Sequence, residues 1–171
     1  MHYSKIHTYD IANGPGVRVS LFVSGCRHHC KGCFNSETWD FEHGQLFTEE
    51  TVIDILEALN EDWIAGFSLL GGEPFEPENQ LVLVGLLRRI REQHPDMSIW
   101  CWTGFMYDLD LVVGGNAYTS VTDEMLSYID ILVDGPFVEA EKDLMLEFRG
   151  SRNQRVNDLK GEKSYGKGVK M

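Results

Sequence analysis

Three cysteines close together in the chain have the spacing of a metal centre. Cys26, Cys30 and Cys33 form the pattern Cys-x3-Cys-x2-Cys. A loop can curl around a cluster, so three thiolates this close can bind one centre, whereas common zinc sites and ferredoxin-type clusters take a fourth ligand. The remaining cysteine, Cys101, lies far along the chain in an apolar run, where we predict a small buried side chain. A four-iron cluster held by the three cysteines would keep one iron open for a bound molecule.

Two other chemistries fit the same residues. Three cysteines with His28 or His29 have the ligand types of a structural zinc site, and a disulfide between two of the cysteines is also possible. The chain begins without a basic stretch that leads into an apolar run, so we expect no signal peptide and a cytoplasmic location. Disulfides are rare in that reducing compartment, which favours a metal centre. We expect His28 and His29 to face solvent or a partner.

A second motif follows an apolar run over residues 66–70, which predicts a buried strand. Gly71 and Gly72 at its end let the backbone approach a ligand closely. The carboxylate of Glu73 comes next and can accept hydrogen bonds from an amine. A plain turn between strand and helix, with Pro77 in the first turn of the helix, explains the same residues. The motif is therefore weak alone and gains weight beside the cysteines.

Together the two motifs resemble those of the radical S-adenosylmethionine superfamily, whose members carry the cysteine loop after the first strand and a Gly-Gly-Glu motif after the second. Within that superfamily, the chain is similar to the activating proteins of anaerobic ribonucleoside-triphosphate reductases. The similarity extends along most of the chain, through segments 13–16, 33–35, 38–39, 99–104, 132–137 and 149–151. Gly32, where many superfamily members have an aromatic residue, and Phe34 after the third cysteine fit this small activase group.

The resemblance implies an enzyme with two cofactors, one 4Fe-4S cluster per chain and S-adenosylmethionine. The implied metal ligands are Cys26, Cys30 and Cys33. The methionyl amine and carboxylate would chelate the open iron, with Glu73 holding the amine and Gly72 close to the methionine backbone. Gly32, Cys33 and Phe34 would flank the adenine. One electron from the reduced cluster would cleave the cofactor to methionine and a 5′-deoxyadenosyl radical.

The implied protein substrate is the anaerobic ribonucleoside-triphosphate reductase, where hydrogen abstraction from a glycine on a C-terminal loop leaves a glycyl radical. A one-electron donor such as reduced flavodoxin is the second implied partner. Three alternatives remain: a pyruvate formate-lyase-type activase, a small enzyme of deazapurine biosynthesis, and a non-catalytic zinc or iron–sulfur binding module. Thr103 and Asp134 follow strands on the same side, and Asp134 either helps bind a cation or caps the turn at Gly135.

Length and charge are those of one domain over residues 1–171. The chain is 43% apolar and has a formal net charge of −12. Residues 1–148 carry 8 basic against 25 acidic residues, which argues against a nucleic-acid partner. No run is long enough to span a membrane. Residues 149–171 hold 7 basic and 2 acidic residues, and we interpret this basic C-terminal segment as a solvated, flexible end.

Strand and helix patterns alternate along the chain. Strands are predicted at 18–24, 66–70, 97–102, 129–133 and 146–148, and helices after Thr48, from Pro77 to before Pro95, and over 122–128. Such alternation predicts an α/β fold, a parallel sheet with helices on its outer face. The chain is short for a complete eight-stranded barrel, which takes about 250 residues. The resemblance implies the incomplete, open β/α barrel of the radical S-adenosylmethionine type.

Overall fold

A computed structural model describes residues 1–161, which form a mixed α/β fold around one open sheet. Its seven strands are β1 (His2–Asp10), β2 (Val17–Val23), β3 (Gln45–Leu46), β4 (Ile64–Gly71), β5 (Ser98–Trp102), β6 (Ile131–Asp134) and β7 (Arg155–Asp158). Their order in the sheet is β3-β1-β2-β4-β5-β6-β7. The four central strands β2, β4, β5 and β6 are parallel, as predicted, whereas β1, β3 and β7 pair antiparallel at the edges. The sheet does not close on itself.

Two of the helices in the described residues begin at local signals that the sequence carries. They are α1 (Glu49–Ala58), α2 (Pro77–Gln93) and α3 (Thr122–Tyr128). Thr48 caps α1 in a reciprocal capping box with Thr51, and two glutamates lie in the first turn, where the helix dipole favours anions. Pro77 occupies the first turn of α2, where its missing N–H costs nothing. The predicted positions of these helices are confirmed.

Alternation along the central strands separates their side chains onto two faces of the sheet. Residues of one parity, including Leu21, Leu69 and Cys101, join the main core together with apolar residues of the three helices. Residues of the other parity include Trp100 and Val133, which form a smaller cluster on the opposite face. The helices therefore cover one face, and the other face is left for loops and for the site described below.

One predicted strand is wrong, and three observed strands, β1, β3 and β7, were not predicted. Residues 146–148 form part of a loop that packs on the second face of the sheet. Phe148 has φ +60°, outside the extended region, and its carbonyl accepts a hydrogen bond from Trp102 Nε1 at 2.6 Å. The missed strands β1, β3 and β7 lie toward the edges of the sheet and have few fully buried residues, so they lack the apolar run of a central strand.

The part of the basic C-terminal segment that the structure describes belongs to the fold. Arg155 of β7 forms ion pairs with Asp134 of β6 and with Asp108. The Lys160 ammonium donates to the carbonyl of Ser127. Lys163, Lys167 and Lys170 lie outside the described residues.

Within residues 1–161, no helix is both long enough and apolar enough to cross a membrane.

Candidate metal and cofactor site

The two motifs meet because they follow neighbouring parallel strands. β2 and β4 run side by side in parallel, with Val23 opposite Gly71. The segments that follow these two strands therefore leave the sheet at the same edge. The backbone N–H of Gly72 donates to the carbonyl of Val23 at 2.8 Å, and that of Glu73 donates to the carbonyl of Gly25 at 2.8 Å. The cysteine loop and the Gly-Gly-Glu motif therefore meet at the carboxyl ends of β2 and β4.

A cavity of about 640 Å³ opens at this edge. Its lining includes Cys26, Cys30, Cys33, Phe34, Gly72 and Glu73. The ends of β5 and β6 and the segment 143–150 complete the wall. The volume lies within the usual range for small-molecule sites, roughly 300–1,000 Å³.

The cysteines are free thiols, which removes the disulfide alternative. Cys101 is fully buried in the main core and does not line the cavity, as predicted. Cys26 is 8% exposed, and burial raises the pKa of its thiol to about 12. Burial also raises the pKa of Cys30. A thiolate is costly at such positions unless a metal supplies positive charge, and ligation deprotonates thiols outright.

The residues fit an iron–sulfur cluster better than a single zinc ion. Among residues 1–161, no group of three or more His, Cys, Asp or Glu side chains is arranged to hold one metal ion. The three thiols instead line one wide cavity. A four-iron cluster is larger than a single zinc ion and needs such a space between its ligands. The indole N–H of Trp39, whose ring also lines the cavity, is buried and has no acceptor within the described part of the chain. The cavity is therefore lined by three thiols, and Trp39 beside them has a buried N–H without an acceptor among residues 1–161.

Glu73 is fully buried, and its carboxylate already has four hydrogen-bond partners. Oε1 accepts from the backbone N–H of Phe75 at 2.8 Å and from the hydroxyl of Thr103 at 2.7 Å. Oε2 accepts from the backbone N–H of Gly104 at 2.7 Å and lies 2.8 Å from His28 Nε2. Thr103 thus has a defined role, which is to hold Glu73.

The two histidines of the cysteine loop have different environments. The side chain of His28 is only 19% exposed and packs edge-on against Phe105. Of the two environments expected for it, solvent is therefore wrong, and contact with a partner stays a prediction. Burial favours the neutral ring, but the hydrogen bond and the charge of Glu73 outweigh it and raise the pKa of His28. His29 is exposed, as predicted, and its ring stacks on Trp39 with 4.5 Å between centroids.

The second half of the cysteine loop packs against residues that follow β6. Gly32 has φ +75°, and a Cβ there would lie 2.8 Å from Oε1 of Glu139. Gly32 is not among the residues that line the cavity. Phe34 packs on Phe137, with 5.2 Å between ring centroids, and the Lys142 ammonium lies 4.9 Å from the centre of its ring. Phe34 remains 59% exposed and lines the cavity.

Asp134 caps a turn and holds an edge strand. It is fully buried, pairs with Arg155, and accepts from the backbone N–H of Tyr107 at 2.7 Å. It does not line the cavity. The contacts of its carboxylate within residues 1–161 are structural, but they are with Tyr107 and Arg155 and not with the turn at Gly135.

The sequence did not indicate that Arg27 and Glu76 would contact each other. Glu76, at the N-terminus of α2, is 2% exposed and accepts from the backbone N–H of Arg27 at 2.7 Å and from its guanidinium at 2.5 Å. The two residues are 49 positions apart, so no local pattern could have indicated the pair.

Comparison with known proteins agrees with this site. A family model described as a 4Fe-4S single cluster domain matches residues 12–157. The anaerobic ribonucleoside-triphosphate reductase-activating protein of Vibrio cholerae is 40% identical over 160 residues, which cover 92% of this chain and 97% of that protein. The chain belongs to this activating-protein family. Other members are those of Escherichia coli K12, 41% identical over 94% of the chain and 100% of the relative, and of phage T4, 39% identical over 91% and 93%.

Proposed function

We infer that this chain is an enzyme that activates an anaerobic ribonucleoside-triphosphate reductase by generating a glycyl radical on it. The observation that carries this function is the set of three free cysteines around one cavity, in a chain whose named relatives are activating proteins. The cofactors that we propose are a 4Fe-4S cluster and S-adenosylmethionine.

Cys26, Cys30 and Cys33 would hold the cluster, and three protein ligands leave one iron for a further molecule. When bound, the cluster and S-adenosylmethionine together supply a 5′-deoxyadenosyl radical that takes a hydrogen atom from the target glycine. The protein contributes the ligands, the shape of the cavity and the exclusion of water. Trp39 would offer its buried N–H to the bound cluster.

We propose that Cys33, Phe34, Gly72 and Glu73 form the S-adenosylmethionine side of the cavity, with Gly32 behind them. Gly72 supports this proposal because a Cβ there would lie 2.7 Å from the carbonyl oxygen of Gly25, so only glycine lets these two segments approach. The four parallel strands and their helices are consistent with an incomplete β/α barrel, which we propose as the architecture. An open sheet suits a reaction in which a loop of another protein must enter.

A reduced flavodoxin is the electron donor that we propose, and the cytoplasm is the proposed compartment. Free cysteines are consistent with a reducing environment. We further propose that residues 1–171 act as one domain.

Electron paramagnetic resonance tests the function directly. The anaerobically reconstituted protein, S-adenosylmethionine, a one-electron reductant and the cognate reductase should produce a doublet on the reductase. The doublet should collapse to a single line when the target glycine carries deuterium at its α carbon. The Cys30→Ala variant is the matched control and should produce none. Fast modification of a small molecule, with no radical on any anaerobic reductase, would refute the proposal.

A further inference from the structure

The carboxylate of Glu73 has no acceptor position left for another donor. An ionised carboxylate offers about four such positions. Phe75 and Thr103 fill those of Oε1, and Gly104 and His28 fill those of Oε2, all at 2.7–2.8 Å. Because Glu73 is also fully buried, these four partners determine what it can do.

Only one of the four donors comes from the cysteine loop. The other three belong to the segments that directly follow β4 and β5. His28 lies between Cys26 and Cys30, and its ring packs on Phe105 with 4.4 Å between centroids. Gly104 leaves room for the ring, since a Cβ at that position would lie 2.7 Å from it. The ring of His28 is therefore packed between Phe105 and the backbone of Gly104.

The preceding residue is held in the same way. Arg27 binds Glu76 through its backbone N–H and its guanidinium, and binds Glu78 through the guanidinium at 2.5 Å. Two buried glutamates, Glu73 and Glu76, therefore hold two successive residues of the cysteine loop. Both glutamates belong to the turn between β4 and α2.

We propose that Glu73 and His28 form a positioning pair that holds Cys26 and Cys30 in the arrangement that takes up the cluster. Glu73 then serves the cofactor site by fixing the cysteine loop. The identity of the bound cluster rests on the proposed function, but the contact between the two side chains does not. Contacts that orient metal ligands commonly change metal affinity by about 10- to 100-fold when removed.

The variants His28→Ala and Glu73→Gln remove the contact from its two sides. In Glu73→Gln, either orientation of the amide places its NH₂ group against a backbone N–H, because Phe75 and Gly104 donate to different oxygens. His29→Ala is the matched control, since His29 lies in the same loop but is exposed. His28→Gln retains a donor of similar reach and tests rescue.

The measurement is the rate at which reconstituted protein loses iron to a chelator, together with S-adenosylmethionine affinity from the resonance of the reduced cluster. We expect iron loss about 10-fold faster in His28→Ala and in Glu73→Gln. The double variant should be no faster than the faster single variant, and His29→Ala and His28→Gln should stay close to the wild type. The proposal is overturned if His28→Ala retains iron like the wild type while Glu73→Gln alone weakens cofactor binding.

A second measurement, the thermal stability of the apoprotein, does not depend on the cluster. The melting temperatures of the wild type, the two single variants and the double variant form a cycle, which should show coupling between the two positions. Additive losses would overturn the pairing. If the wild type takes up no cluster, the proposed function fails, and this cycle still decides whether Glu73 and His28 act together.

Discussion

At the scale of single residues, the cysteines differ in whether they line the cavity. Cys26 and Cys101 are both buried, but Cys26 lines the cavity whereas Cys101 packs between the sheet and its helices. The raised pKa values of Cys26 and Cys30 keep these thiols protonated without metal. A bound metal reverses this preference, because its charge stabilises the thiolate. Uptake of the cluster should therefore release protons.

Replacing each cavity cysteine by alanine should abolish the cluster. Cys26→Ala, Cys30→Ala and Cys33→Ala should each fall from about four irons per chain to less than about one, since two thiolates do not retain such a cluster. Cys101→Ala should keep the iron and lose about 1 kcal/mol of stability. Iron and sulfide analysis after anaerobic reconstitution makes the comparison. A full cluster in Cys30→Ala, or none in Cys101→Ala, would contradict the ligand assignment.

At the scale of elements, the site depends on how closely the end of β4 approaches the cysteine loop. Gly72 allows this approach because backbone oxygens of Gly25 and Thr38 lie 2.7 and 2.9 Å from where a Cβ would be. These backbone atoms cannot move aside as the end of a flexible side chain can. Gly85, on α2, has no atom within 4 Å of its Cβ position and offers a contrast.

Alanine at these two glycines should have opposite effects on stability. Gly72→Ala should lower the free energy of unfolding by about 1–3 kcal/mol through overpacking. Gly85→Ala should raise it by about 0.5–1 kcal/mol, because alanine is the better helix former. Urea unfolding of the apoproteins gives both values, provided that the slope of the unfolding free energy against urea concentration is the same in the variants and the wild type. Wild-type stability in Gly72→Ala would show that the two segments separate without cost.

At the scale of the whole molecule, the sheet and the cysteine loop are stabilised differently. The central strands are paired on both sides and packed against the helices. The loop is held mainly by side chains, through His28 and Arg27 on one side and through the packing of Phe34 on the other. Regions with fewer buried apolar contacts and backbone hydrogen bonds open locally at lower free energy.

Removing the cluster should therefore loosen the loop and leave the sheet intact. Hydrogen exchange should become faster in residues 26–35 after chelation of the iron, while β4 and β5 keep their protection. Mass spectrometry of the holoprotein and the apoprotein measures the difference. An equal loss of protection in β4 would instead make the cluster a requirement for the global fold.

Some of this protein could be predicted from the sequence because the signals are local. The Thr48 cap of α1, Pro77 at the start of α2 and the apolar spacing of both helices act within a few residues, so these helices are found where predicted. The cysteine spacing likewise lies within one loop. The parallel order of β2 and β4 follows from the alternation of strands and helices, and it brings the two motifs to one edge.

Contacts between distant residues were decided only by the tertiary structure. His28 is 45 positions from Glu73, and Thr103 is 30 positions from it, so no periodicity or composition could show that they would satisfy its carboxylate. The edge strand β7 is a strand because β6 provides hydrogen-bond partners, and its own residues are only half-buried. A buried carboxylate must find donors wherever the packed chain brings them. The sequence could therefore indicate that the carboxylate of Glu73 accepts hydrogen bonds at a cofactor site. It could not show that the folded chain itself supplies four donors to this carboxylate.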